Sequence, residues 1–181
     1  AEGPERIGVE MKRMLADPER GEAIELLYET GLLPFVIPPL AESSAAEVAR
    51  IRERLDRLRG GTAPLGLAAV LLGSADNDQT ATAGRALRWT NHETRRAAWL
   101  IDHRHALDEA PDRPWSEVQP ILAHPGASDL VELRAADLGA RDAADPFCRE
   151  KLALPPDELD PPPLIEGDDL IAAGEKPGAH F

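Results

Sequence analysis

The chain has a single cysteine, Cys148, only 4% aromatic residues and no long hydrophobic run. One cysteine rules out an intramolecular disulfide, so a disulfide-stapled secreted scaffold is excluded and a reducing, cytoplasmic setting is the expectation. Cys148 itself reads as a small buried hydrophobe. The longest apolar stretch, Leu65 to Leu72, is interrupted by Gly66 and falls far short of the roughly 18 apolar residues of a membrane-spanning helix, so no membrane partner is expected. Scarce aromatics leave the core to Leu, Ala, Ile and Val, a palette that favours helices over strands. Basic residues are also in short supply. With 33 Asp and Glu against 20 Lys and Arg, the formal net charge is −13. That balance opposes non-specific attraction to a phosphate backbone, and any nucleic-acid contact must use a local basic patch.

What is present points to an all-α fold. The 181 residues, 43% of them hydrophobic, suffice for one substantial core or two small ones. Pro4 suits a first helical position, and Ile7, Met11, Met14 and Leu15 recur at helical spacing as far as Asp17-Pro18. Asp17 can cap a second helix with Pro18 at its start, Ala23, Ile24 and Leu27 facing the core and Gly31 as its stop. Pro34, Pro38 and Pro39 allow only a short turn of helix between Leu32 and Leu40. Ser44 and Glu47 form a capping box ahead of Val48, Ile51, Leu55 and Leu58, with Gly60-Gly61 closing that helix.

Leu65 to Leu72 reads as a buried helix and Gly73 to Gln79 as a loop. Helices follow over Thr80 to Leu87, from Thr90 (capped with Glu93) to Leu107, over Trp115 to Leu122, over Ala127 to Leu138 and around Phe147 to Leu152. From Leu154 onward, Pro155-Pro156 and Pro161-Pro162-Pro163 suggest an extended tether before a short helix within Gly167 to Gly174. The expectation is an array of seven to nine helices in three parts. Residues 1–60 form a neck-like hairpin and capped helix, 61–153 a helical body, and 154–181 a tether with a truncated tail module. Both ends of the chain look cut.

Two stretches carry a family resemblance. Glu5-Arg6-Ile7-Gly8-Val9-Glu10, with Ala23-Ile24-Glu25-Leu26-Leu27-Tyr28-Glu29-Thr30-Gly31-Leu32-Leu33-Pro34 after it, resembles the neck of class II tRNA nucleotidyltransferases, the poly(A) polymerase and CCA-adding family. In that family an E-R-x-x-x-E helix buttresses the nucleotide-recognition pocket, and the next helix ends in G-L-L-P. The resemblance implies pocket support by Glu5, Arg6 and Glu10. Arg6 and Glu10, four apart, lie on one helix face and can pair; an ordinary solvated ion pair is the bland alternative. Asp160 to Gly178 is similar to the family's P-P-L-x-x-G-x-D-L-x-x-x-G-x-x-P-G tail, which lies near the tRNA elbow. There Lys176 and Gly178 can offer a cation and free N–H groups to a phosphate.

Other candidates arise from the residues alone. Arg50, Arg52, Arg54, Arg57 and Arg59 lie opposite the Ile51, Leu55 and Leu58 stripe, with Arg50, Arg54 and Arg57 chosen as RNA-facing; a solvated face of ion pairs is the competing reading. Trp89 and Trp99 read as core anchors rather than base-stacking platforms. Asp102-His103-Arg104-His105 makes a poor metal site, because residues two apart on a helix point in separate directions. Gly73-Ser74 stands where some family members carry a His-Asp metal pair.

No G-S/T-x-R-D-x-x-x-G-x-x-x-x-D-x-D, R-R-D-F-T or E-D-x-x-R pattern occurs, so neither catalytic residues nor a metal site is expected in this chain. The resemblance therefore implies a C-terminal, RNA-binding and pocket-supporting region whose partners are tRNA and an N-terminal catalytic head. The intact enzyme would add CCA to tRNA 3′ ends using Mg²⁺, ATP and CTP. The alternative is a stand-alone helical protein-interaction module without an RNA role, for which the acidic charge speaks.

Overall fold

The structure, a computed structural model, describes residues 3–162 and 167–174. Among them there is no β-strand. The chain runs through α1 (Pro4–Ala16), α2 (Arg20–Glu29), α3 (Leu33–Val36), α4 (Ala45–Arg57), α5 (Ala63–Leu71) and α6 (Asn77–Ala86). There follow α7 (Asn91–Asp102), α8 (Trp115–Leu122), α9 (Ala127–Leu138), α10 (Asp145–Leu152), α11 (Pro156–Leu159) and α12 (Gly167–Ala172). Tight 3₁₀ turns at Pro38–Leu40, Ala110–Asp112 and Gly139–Arg141 link these elements. The all-α expectation holds.

At the centre is α5. Every residue from Leu65 to Leu71 is buried, as suits a helix apolar on all sides, and α1, α4, α7 and α9 pack around it. Each fully buried leucine there contributes roughly 2 kcal/mol. The closest approach to α1 is made at Gly66, where a Cβ would stand 2.5 Å from the carbonyl oxygen of Leu15. A side chain at that point would force the two backbones apart.

Three capping boxes start three helices: Ser44 with Glu47, Asp76 with Gln79 and Thr90 with Glu93. The second lies inside the polar run after Gly73, whose composition suggests a loop; α6 begins at Asn77, three residues earlier than expected. Asp17 accepts a hydrogen bond from the Glu19 N–H at 2.9 Å, but regular α-helix begins only at Arg20. Pro18 and Glu19 form a tighter opening turn. Cys148 lies in the core, where burial pushes its thiol up to about 11.

The expected tether needs correction at its start. Pro156 opens the short α11 instead of prolonging an extended strand. Leu159 packs on the core, and its carbonyl accepts a hydrogen bond from Gln119 Nε2 at 2.8 Å. Further on, α12 forms where a short helix was expected, ending at Ala172, with Gly174 just past it at a φ of +94°. Ile171 on this helix is half exposed.

Two buried arginines were not foreseen. Arg20 is 3% exposed and donates to the carbonyls of Gly60, Leu15 and Leu58 at 2.8, 3.3 and 3.4 Å, tying the α1–α2 corner to the end of α4. Arg134, on α9, donates to Arg104 O and Asp108 Oδ1, both at 2.6 Å, and to Asp142 Oδ1 at 3.1 Å.

Candidate RNA interface and docking groove

Two opposite faces of α1 do different work. On one, Gly8 rests against the end of α6; a Cβ there would overlap the carbonyl oxygen of Leu87. One turn on, Lys12 Nζ lies 2.7 Å from Glu93 on α7 and 5.7 Å from the ring of Trp89. This face anchors α1. The other face, together with α2 and Val36, walls an open groove of about 890 Å³.

The groove has an apolar floor and a charged rim. Ile7, Met11 and Met14 from α1 meet Ala23, Leu26 and Leu27 from α2. Ile7 is 49% exposed and Leu26 58%, while Phe35, just beyond on α3, is 81% exposed. Side chains of this size left in water contribute no burial energy, and here they are grouped on one surface. Arg6, Glu10 and Arg13 of α1, Asp17 and Glu19 at the α1–α2 corner and Glu22 of α2 also line it.

Of the three expected pocket-supporting residues, Arg6 and Glu10 thus stand together at the groove and Glu5 lies exposed on the same helix. Glu10 is paired with Arg13 Nη1 at 3.0 Å. The apolar floor was missed in the sequence. Its signal was there in part: the stripe Ile7-Met11-Met14-Leu15 is broader than the Met11 and Leu15 that the core buries, leaving Ile7 and Met14 to the groove.

The arginines of α4 divide. Arg54 is held inward by Asp137 at 2.8 Å and by the carbonyls of Ala69 and Leu72 at 2.7 and 3.1 Å, so it bridges α4, α5 and α9. Arg52 pairs with Glu25 and Asp56. Arg57 is exposed but pairs with Glu53 and donates to Ala136 O at 3.3 Å. Arg50 is exposed and makes no ion pair among the described residues. Arg59 lies beyond the helix, which stops at Arg57 because the backbone turns extended at Leu58 (ψ +125°). Lys176 and Gly178 lie outside the described residues.

Trp89 is a core residue at 7% exposure. Trp99 is half-buried, its ring stacked between His103 at 4.4 Å and His124 at 3.8 Å. The Gly126 N–H donates to His124 Nδ1 at 3.0 Å. Desolvation first, then the positive charge of Arg96 and the neighbouring His103, holds His124 below its ordinary range. His105 turns away to Asp108 at 2.9 Å. Among the described residues no group of three or more His, Cys, Asp and Glu side chains is placed to hold a metal ion, and no helix is long and apolar enough to cross a membrane.

The groove and its charged lining thus come from α1, α2, the corner between them and Val36 of α3. Residues 3–43, which span those helices, match a family model described as "Probable RNA and SrmB- binding site of polymerase A". The segment is similar to a poly(A) polymerase-family RNA-binding region. No curated protein and no solved structure matches the chain.

Proposed function

We propose that this chain is the RNA-docking and nucleotide-pocket-supporting helical part of a template-independent nucleotidyltransferase. The intact enzyme would add CCA to tRNA 3′ ends from CTP and ATP with Mg²⁺. The observation that carries the reading is a coincidence of position: the residues similar to an RNA-binding region of polymerase A also build the exposed groove. A catalytic head, bearing the metal-binding carboxylates, seats an apolar surface on Ile7, Met14 and Leu26. Glu5, Arg6 and Glu10 brace its nucleotide pocket. In this reading α4 offers Arg50 and Arg57 to RNA, and the tail adds Lys176 and Gly178.

The test is binding of tRNA by the 181-residue chain across a salt series. RNA docking requires affinity that falls as salt rises, because phosphate contacts release condensed counterions. Absence of binding at low salt would leave the protein-interaction module as the better reading.

A further inference from the structure

Cations and carboxylates are mixed over most of this acidic protein, but not everywhere. Residues 85–96 hold Arg85, Arg88, Arg95 and Arg96 against a single carboxylate, Glu93, in a chain with 33 acidic and 20 basic side chains. Glu93 is already matched by Lys12 at 2.7 Å. The segment is the end of α6, the start of α7 and the corner between them. Gly84 and Thr94 meet where the two helices touch, so their neighbours Arg85 and Arg95 flank one crossing point. Both are exposed, as is Arg88 at the corner itself.

These guanidinium groups serve the fold little. Arg85 donates to the Thr82 hydroxyl at 2.9 Å, and Arg88 and Arg95 make no side-chain hydrogen bond or ion pair among the described residues. Arg52, Arg57, Arg113 and Arg149, by contrast, all pair with carboxylates.

The backbone at Arg88 adds an independent observation. Its φ is +53°, the left-handed conformation that closes α6. The Arg88 N–H donates to Arg85 O at 3.2 Å and the Trp89 N–H to Gly84 O at 3.0 Å. This is a Schellman cap, and its left-handed position is one where glycine sits without strain and a larger residue does not. An arginine held there, exposed and unpaired, costs the fold stability and returns none. The corner also borders α1: a Cβ on Gly8 would lie 3.9 Å from that of Arg88, so the basic surface adjoins the segment matched to an RNA-binding region.

We propose that the α6–α7 corner is a docking site for an RNA phosphate backbone, with Arg85, Arg88 and Arg95 each neutralising a phosphate. The inference rests on the RNA-binding reading above and adds a site outside the matched segment. Its test is anisotropy of a labelled RNA hairpin titrated with the full chain. The proteins compared are the wild type, Arg88→Gly, the double variant Arg85→Gln with Arg95→Gln, and, as a control, Arg141→Gln in the exposed 3₁₀ turn after α9.

Arg88→Gly is expected to melt no lower than the wild type yet bind on the order of tenfold more weakly at about 0.1 M salt, the log-log salt slope falling by about 1 for each arginine removed. Wild-type binding that survives unchanged in the corner variants, or that falls as far in Arg141→Gln, overturns the corner and leaves RNA binding intact. A wild type that fails to bind RNA at low salt overturns both.

Discussion

Arg20 shows how much one side chain can hold when its charge is turned inward. Its guanidinium serves three carbonyls from two corners of the fold, and burial lowers its pKa against the pull of Asp17 and Asp56. Arg20→Ala leaves those carbonyls without a donor and is expected to cost about 3 kcal/mol in urea unfolding. Arg13→Ala, which removes an exposed pair, should cost under about 0.5 kcal/mol. A similar loss in both would show that Arg20 is not anchored as described.

His124 gives the residue scale its pH dependence. Its pKa is lowered in the folded state, so the unfolded chain binds the proton more readily. Stability is therefore full above the unfolded value of about 6.5 and declines as pH falls below it. Thermal melts at pH 7.5 and 5.5 should show a drop that His124→Gln reduces; an equal drop in both proteins would remove His124 from the explanation. Neither residue was legible in the sequence, because the groups that define them are main-chain atoms and rings far along the chain.

At the scale of elements, local signals were legible and close approaches were not. Ser44-Glu47 and Thr90-Glu93 announce their helices because a capping box is completed within four residues. Bounds of Trp115–Leu122 and Ala127–Leu138 followed from periodicity with the Pro125-Gly126 turn between them. The helical turn at Pro156–Leu159 was hidden by its prolines, which suit an extended chain and a first helical turn equally.

Gly66 has no sequence mark distinguishing it from a helix-weakening glycine. In an unconstrained helix Gly→Ala stabilises by roughly 1 kcal/mol. Here the carbonyl of Leu15 occupies the space, and Gly66→Ala is expected to destabilise by about 1–3 kcal/mol through overpacking. A gain in melting temperature would show that α1 and α5 are not so close.

Across the whole molecule, charge is arranged rather than merely acidic. Many cations are neutralised by neighbours, the α6–α7 corner is left basic, and α1–α3 present an apolar groove with a charged rim. The helical class and the α1–α2 hairpin were legible because composition and period determine them. Among the arginines, the RNA-facing choice could not be made from helix position alone: Arg54 lies on α4 beside Arg57, yet its partners across the core draw it inward.

The most direct measurement is the affinity of the full chain for labelled tRNA between about 0.02 and 0.3 M salt. The three corner arginines alone give a log-log slope of roughly −2 to −3, and phosphate contacts by Arg50, Arg57 or Lys176 steepen it. A flat dependence, or no binding at the lowest salt, would contradict an RNA-docking role.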